Sequence, residues 1–243
     1  GLVETSGQHL KVADSAKVTT LAKDGLSGDW LIDPNDFTIA ASGGDITGAQ
    51  LSTNLGTTDV TIASGDGANA GNGDIFINDA VSWSSAHSLT LNAQRNIDVN
   101  ANVSITGSGA LALNTGLGGG GDLDFTLGLG RVEFTNVTSG NNMALAINGQ
   151  AYTLENTLAD LATDIAASPS GFYALAGNYD ASADGIYSGA PLSLTLLGTL
   201  EGLGNTISNV SASQNQSSFT LGGLIDAIGT PTDAGYVRDL QLK

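Results

Sequence analysis

The chain has 243 residues, with 24 acidic and only 7 basic side chains, which give a formal net charge of −17. Such a surface repels phosphate backbones, so nucleic acid is excluded as a natural partner. Cysteine is absent, which excludes disulfides, thiolate metal sites and cysteine nucleophiles. Glycine is abundant and aromatic residues make up 5%, a balance that favours a long, narrow core over a thick globular one.

Short strand signals fill the chain as far as Ser64. The predicted strands are Gly1–Gly7, Leu10–Val12, Val18–Leu21, two within Gly28–Ile39, Ala49–Leu51 and Val60–Ile62. Pro34-Asn35-Asp36 supplies good turn residues for the corner inside Gly28–Ile39. We therefore expect the alternate apolar residues on either side of this corner to be buried, namely Trp30, Ile32, Phe37 and Ile39.

A repeat follows. Three strand pairs recur at one spacing: Ile75–Ile77 with Ile97–Val99, Val81–Trp83 with Val103–Ile105, and Leu89–Leu91 with Leu111–Leu113. Each pair has the same offset, so one turn of a repeating coil is about 22 residues long, which is typical of a β-solenoid.

Longer offsets flank this repeat. A third turn, in Leu123–Phe125 and Val132–Phe134, is stretched to offsets of 26 and 29 by Gly118–Gly121 and a second glycine-rich corner. The step from Val60–Ile62 to Leu89–Leu91 is also longer than the repeat, and the excess is assigned to a corner loop between Gly65 and Asp74. The repeat is therefore predicted to begin before residue 60.

The pattern changes near residue 154. Leu154, Leu158, Leu161 and Ile165 have the spacing of one helical face, which predicts a helix near residues 154–167 with Thr153 as its N-cap. Strand signals then resume at Phe172–Leu175, Leu192–Leu196, Thr206–Ile207, Phe219–Leu221 and Val237–Leu242. We predict a β-solenoid over residues 1–150, followed over residues 151–243 by the helix and further solenoid.

Several phrases resemble the large exoproteins of the filamentous haemagglutinin type, which two-partner systems of Gram-negative bacteria secrete. They are Gly1-Leu-Val-Glu-Thr-Ser-Gly7, Trp30–Ile39, Gly73-Asp-Ile75 through Trp83 to Leu89–Ile97, and Tyr152–Ser182. Leu200–Val210, Gly222–Ile225 and Val237–Leu240 are similar to that family's GLUG-type repeat, although Leu224-Ile225 stands where Leu-Phe-Gly is common.

The resemblance implies an all-β fold, a right-handed parallel β-helix, in a passenger segment of a secreted or cell-surface adhesin. It implies an outer-membrane β-barrel transporter as the export partner. The family supplies no catalytic, cofactor-binding or metal-binding residues to carry over, so we expect none and no enzyme activity.

Other candidate sites have simpler structural interpretations. Asp98, Asp122, Asp124 and Glu133 are the acids that could line one face beside Arg95, as in a carbohydrate-active β-helix. A solvated acidic face, with Arg95 paired to a neighbouring acid, is the simpler interpretation. His87 is expected to be exposed at a corner, and neither His87 nor His9 has metal-ligand spacing. The nonapeptide calcium pattern fails at Leu123, where aspartate is needed.

Three hypotheses remain for the function. The first is a non-catalytic structural and binding segment of a bacterial adhesin, acting in cell adhesion, biofilm formation or host contact through an unidentified receptor or surface glycan. The alternative is a carbohydrate-binding or carbohydrate-active β-helix. A second alternative is a self-assembling extracellular fibre subunit, because edge strands can stack end to end.

Overall fold

The computed structural model describes residues 1–65, 71–135, 137, 144–213 and 223–243. The structure is β-rich, with 39% of residues in strands, and its described residues include two α-helices. The chain divides into two compact units, Gly1–Ala151 and Tyr152–Lys243. Within the described ranges, no helix is long and apolar enough to span a membrane.

The first unit contains one helix, α1 (Gly48–Leu55), among its described elements. Its strands are β1 (Leu2–Ser6), β2 (Asp29–Asp33), β3 (Phe37–Ile39), β4 (Asp59–Ala63), β5 (Ile75–Ile77), β6 (Val81–Trp83), β7 (Leu89–Asn92), β8 (Ile97–Val99), β9 (Val103–Ile105), β10 (Ala110–Asn114), β11 (Leu123–Phe125), β12 (Val132–Phe134) and β13 (Ala144–Ile147).

These strands pair in parallel in three sheets, ordered β1-β2-β4-β7-β10-β13, β3-β5-β8-β11 and β6-β9-β12. Ile75 lies opposite Ile97, Val81 opposite Val103 and Leu89 opposite Leu111, so the predicted register of the repeat is confirmed. The stretched offsets are also confirmed, since Ile97 pairs with Leu123 and Val103 with Val132. From β5 onward the chain visits the three sheets in the same order three times.

Side-chain alternation explains this arrangement. Most strands of the first unit show a buried–outward–buried pattern, as in Ile97-Asp98-Val99. The four residues expected to be buried around the Pro34–Asp36 corner are at most 2% exposed: Trp30, Ile32, Phe37 and Ile39. The core of this unit is therefore built largely from alternate apolar residues.

Residues 49–51, predicted as a strand, lie instead in α1. Leu51 and Leu55 stand four residues apart and are both fully buried, which is helical spacing. The hydroxyl of Thr47 caps the helix by accepting the Gln50 N–H at 3.2 Å. The prediction was wrong because three apolar-patterned residues are too few to distinguish a strand from a helical turn.

The strands predicted at Leu10–Val12 and Val18–Leu21 are also absent from this described region. In the first segment the Val12 N–H donates to the Asp45 carbonyl, at 2.7 Å, outside any strand. In the second segment the backbone bonds side chains: Val18 N–H donates to Asn54 Oδ1 at 2.9 Å and Thr20 N–H to Thr58 Oγ1 at 2.8 Å. Those acceptors give the backbone an alternative to a β-ladder, which apolar alternation does not reveal.

The second unit contains helix α2 (Leu158–Ala167) and a short 3₁₀ turn at Ala181–Ala183 among its described elements. Its strands are β14 (Gln150–Glu155), which begins at the boundary between the units, β15 (Phe172–Leu175), β16 (Tyr179–Asp180), β17 (Ile186–Tyr187), β18 (Leu192–Leu196), β19 (Thr199–Glu201), β20 (Thr206–Ser208), β21 (Ser211–Ala212), β22 (Ile225–Ile228), β23 (Tyr236–Arg238) and β24 (Gln241–Leu242).

The pairing is again parallel, with β14-β15-β19-β23 forming one sheet, β16-β20-β24 a second, and β17-β21 and β18-β22 two ribbons. The core gathers Leu158, Leu161 and Ile165 of α2 with apolar residues of the strands. The predicted helix therefore exists, and its apolar face is the one that the spacing indicated.

The predicted start of that helix was wrong by one turn. Thr157, not Thr153, is the N-cap, and its hydroxyl accepts the Asp160 N–H at 3.0 Å. Residues 153–155 belong to β14, where Thr153 pairs with Tyr173. Leu154 has the helical spacing by coincidence, since it lies in a strand. The wrong cap was chosen because Thr153 and Thr157 are both good N-cap residues and the apolar period does not distinguish them.

Two further predictions concern the chain from Phe219 to its end. Val237–Leu242 is not one strand, because Asp239 adopts a positive φ of 48° and turns the chain between β23 and β24. The strand predicted at Phe219–Leu221 lies outside the described residues, as does Gly222 of the repeat-like phrase. Residues 66–70 of the predicted corner loop in the first unit lie outside them too.

Candidate ligand-binding faces

Two predicted acids meet on the outward side of the first unit. Asp98 of β8 lies directly opposite Asp124 of β11 in the parallel register, with Phe76 of β5 on the other side of Asp98. Partial burial and then the charge of Asp124 raise the pKa of Asp98. This acidic pair is therefore a real feature of one face, as the equivalent positions in the repeat predicted.

The neighbouring arginine is bound to another acid. Arg95 donates from Nε to Asp74 Oδ1 at 2.8 Å and from its terminal nitrogen to Asp74 Oδ2. The Asp74 side chain is 4% exposed, and its bonds to Arg95 lower the pKa of that carboxyl despite burial. Arg95 thus pairs with a neighbouring acid, as expected, but that acid is buried and not solvated.

The remaining predicted acids do not join this pair. Glu133 belongs to β12 in a different sheet, where it lies opposite Ser104 and contacts Arg131. Asp122 is exposed before β11, and its backbone N–H donates to Asn96 Oδ1 at 3.0 Å. The four acids therefore do not line a single face.

His87 is more enclosed than predicted. Its side chain is 13% exposed, and Nδ1 lies 3.3 Å from Asp59 Oδ1, which also accepts the Ser88 N–H at 2.7 Å. The corner closes further because Trp83 Nε1 donates to the His87 carbonyl at 2.8 Å. His9 is exposed. Over the described part of the chain, no group of three or more His, Asp or Glu residues is placed to hold a metal ion.

The glycine-rich corner after β10 has a steric explanation. A Cβ atom at Gly121 would lie 2.1 Å from the Arg95 carbonyl oxygen. The corner can therefore pack this closely on the backbone of Arg95 only with glycine at that position. Gly119 adopts a positive φ of 96°, which also favours glycine. These constraints account for the glycines without a bound ion.

The second unit carries a face that the sequence did not indicate. In the sheet β14-β15-β19-β23, Leu154, Ala174, Glu201 and Arg238 form one row across the strands. Phe172, Thr199 and Tyr236 form a second row two residues earlier, on the same side. We call Tyr152, Phe172, Glu201, Tyr236 and Arg238 the aromatic face.

The rings of this face are held by specific contacts. Tyr152 meets Phe172 edge to face, with ring centroids 5.5 Å apart and an interplanar angle of 67°. The guanidinium carbon of Arg238 lies 5.1 Å from the ring centroid of Tyr236, within the range of a cation–π contact. Tyr236 is 49% exposed, so much of that ring contacts solvent.

Glu201 supplies a buried acid to the same face. It is 3% exposed, and its Oε1 accepts the Leu203 N–H at 3.1 Å. Burial, followed by the charge of Asp239, raises the pKa of Glu201 to about 7. Burial and the charge of Glu201 also raise the pKa of Tyr152.

Sequence reasoning missed this face because its members are far apart in the chain and converge only through strand register. The available signal was a pair of large side chains at alternate positions, Tyr236 and Arg238, and the aromatic residues Tyr152 and Phe172 in predicted strands or next to them. Those residues are equally typical of ordinary strands, so the signal does not distinguish a face from a core.

No protein-family model, no curated protein and no solved structure matches this chain.

Proposed function

We propose that this chain is a non-catalytic structural and binding segment of a secreted or cell-surface bacterial adhesin. The proposed fold is a right-handed parallel β-helix of about 22 residues per coil. The in-register parallel pairing supports it most directly, because Ser82 opposite Ser104 and Asp98 opposite Asp124 stack successive turns. The phrases that resemble filamentous haemagglutinin-type exoproteins support the assignment to an adhesin.

The proposed partners follow from the same resemblance. An outer-membrane β-barrel transporter of a Gram-negative bacterium exports the chain, and a host receptor or surface glycan is its ligand. The net charge of −17 argues against a nucleic-acid ligand. A passenger without cysteine forms no disulfide that would obstruct export as an unfolded chain.

Engineered disulfides test the proposed coil. Ser82 and Ser104 are in register on adjacent parallel strands, at a separation suited to a disulfide. We expect the double variant Ser82→Cys, Ser104→Cys to oxidise rapidly within the monomer. The control pair Ser82→Cys, Thr106→Cys moves one thiol two residues along the chain and should oxidise at least tenfold more slowly. Equal rates for the two pairs would count against the coil.

Adhesion is tested with beads coated with the purified chain. We expect them to bind cultured epithelial cells or Gram-negative bacteria more strongly than beads coated with a non-adhesive protein of similar negative charge. Binding at the control level on every surface would remove the adhesin proposal.

The aromatic face favours a carbohydrate-binding role as the second candidate. Sugar rings pack their apolar faces on aromatic side chains, while carboxyl and guanidinium groups bond their hydroxyls. Tyr236 offers the exposed ring and Arg238 an exposed guanidinium, while Glu201 lies buried beside them. A glycan array should then show ligands whose binding falls at least tenfold in Tyr236→Ala.

The matched control for that array is Leu129→Ala, which removes another exposed apolar side chain from the first unit. Equal losses in both variants, or binding by neither the parent nor the variants, would eliminate the aromatic face as a sugar site. Release of reducing ends from a polysaccharide by the parent chain would favour the carbohydrate-active alternative instead.

A further inference from the structure

Glu155, the last residue of β14, is a buried acid whose carboxyl lacks a full set of partners. It is 3% exposed, and its Oε1 accepts no hydrogen bond from any described residue. An ionised carboxylate in such a place loses its hydration without replacement, which is strongly unfavourable. The side chain is therefore suited to carry a proton.

The groups that face Glu155 are also acids. Asp164 and Asp160 stand one turn apart on α2, and the Asp164 carboxyl lies within hydrogen-bond reach of the Glu155 carboxyl. Tyr173 of β15 is the other titratable neighbour, but its hydroxyl donates to the backbone oxygens of Asp164 and Ser168, at 2.9 and 2.5 Å. Neither α2 nor β15 therefore directs a cationic group at Glu155.

This contact joins two elements of the second unit. Leu158, Leu161 and Ile165 pack the apolar side of α2 into the core beside Leu192 and Leu196. Apolar contacts do not depend on pH, whereas the Glu155–Asp164 contact attracts only while a proton lies between the two carboxyl groups. The attachment of α2 thus combines apolar contacts that do not depend on pH with one carboxyl–carboxyl contact that does.

We propose that Glu155 and Asp164 share one proton, and that this proton is a pH-operated latch which holds α2 against β14. With the proton present, the Glu155 hydroxyl donates to the Asp164 carboxylate. Without it, two carboxylates face each other and repel. Burial and then the charge of Asp164 raise the pKa of Glu155 to about 8, which places release in mildly alkaline solution. The latch does not depend on the proposed adhesin function.

Hydrogen exchange of α2 tests the latch. Exchange rates are measured by mass spectrometry at pH 6 and pH 9.5. The intrinsic rate at each pH divided by the measured rate gives a protection factor for residues 158–167. A Glu201→Gln background removes the other strongly raised carboxyl of this unit. We expect the protection factor to fall at least tenfold at pH 9.5, while peptides from α1 change little.

Two variants separate the latch from a merely structural contact. Glu155→Gln donates an amide hydrogen to Asp164 at any pH, and Asp164→Asn does the same toward ionised Glu155. Both should hold α2 equally well at pH 6 and pH 9.5. Glu133→Gln, which alters an Arg131-paired acid of the first unit, is the matched control and should keep the parental pH response.

Other results would overturn the latch. A parental protection factor that stays constant between the two pH values, or one that falls equally in Glu155→Gln, would show that the shared proton does not hold α2. Restoration of the parental protection factor at pH 9.5 by millimolar calcium would identify the pair as a cation site instead.

Discussion

The side-chain amide of Asn114 donates a 2.8 Å hydrogen bond to the side-chain oxygen of Asn92, one repeat earlier in the chain. Asn100 makes the same 2.8 Å bond to Asn78 at the same sequence separation. Stacked amides of this kind reward the native register, because a slip by one residue separates every pair. They fix neighbouring copies of the repeat against each other.

Replacing Asn114 tests the value of such a bond. Asn114→Ala removes the bond to Asn92 and the acceptor for the Gly149 N–H, which lies 3.2 Å away. We expect a loss of about 1–3 kcal/mol in the free energy of unfolding. Urea denaturation followed by tryptophan fluorescence measures it, since Trp30 and Trp83 lie in this unit. Asn100→Ala, in the more exposed ladder, should cost less, and the reverse order would contradict this account.

A small residue is required where α1 begins. A Cβ atom at Gly48 would lie 2.1 Å from the Ala80 carbonyl oxygen, and the Gly48 N–H donates to Asp79 Oδ2 at 2.8 Å. Gly48→Ala should therefore displace the helix and lower the stability of the first unit by about 1–3 kcal/mol. The control is Gly7→Ala, whose nearest neighbour atom would be 3.8 Å away. Comparable urea midpoints for the two variants would refute the steric argument.

The Arg95–Asp74 pair should make stability depend on acid. Its hydrogen bonds lower the folded-state pKa of Asp74, so their contribution is present above the ordinary pKa near 3.8 and is lost as pH falls through the lower folded value. Arg95→Ala should lower the urea midpoint at pH 7 more than loss of a fully exposed ion pair would, because it leaves the buried Asp74 carboxylate without its cation.

That loss should shrink as Asp74 becomes protonated. Urea titrations of parent and Arg95→Ala at pH 7 and near pH 2.5 measure the difference. A loss that is the same at both pH values would assign the effect to lost packing of the arginine stem and not to the ion pair.

The second unit should lose stability as pH rises. Glu155 and Glu201 have folded pKa values of about 8 and about 7, above the ordinary value of 4.5. The folded state therefore binds more protons than the unfolded state, and the stabilisation from these groups is complete below about pH 4.5. Each group then removes up to about 1.4 kcal/mol per pH unit until its folded pKa is passed.

Scanning calorimetry between pH 4 and pH 9 measures this decline as a falling Tm. The double variant Glu155→Gln, Glu201→Gln should flatten the profile. An unchanged slope in the double variant would mean that other groups control the alkaline loss.

Repetition explains which features could be predicted. The register from Ile75 to Leu113 was predictable because two strands of the same face, one repeat apart, carry the same apolar alternation. Asp98 and Asp124 were predicted to be equivalent for the same reason. In a repeated pattern, each copy independently indicates which residues of a strand face the core, and the copies can be compared.

Single features offered no such check. The eight-residue α1 occurs once, and its apolar pair Leu51 and Leu55 was too short to identify a period. Burial of Glu155 and Glu201 depends on which elements cover them, and local sequence does not encode that. The latch pair joins a strand end to a later helix, whereas the N-cap predicted at Thr153 put both acids on one helix.

The Asp36 carboxylate binds three consecutive backbone N–H groups at one corner of the first unit. Its Oδ1 accepts the N–H groups of Asn72, Gly73 and Asp74 at 2.8–3.0 Å, while Gly65 N–H donates to the Pro34 carbonyl at 2.8 Å. Hydrogen bonds thus hold Gly65 and Asn72, the two ends of the segment between residues 65 and 72, to the Pro34–Asp36 corner. Because both ends are held, we expect extra sequence inserted between them to leave the register of β5 with β3 unchanged. This corner is therefore a suitable site for grafting foreign epitopes.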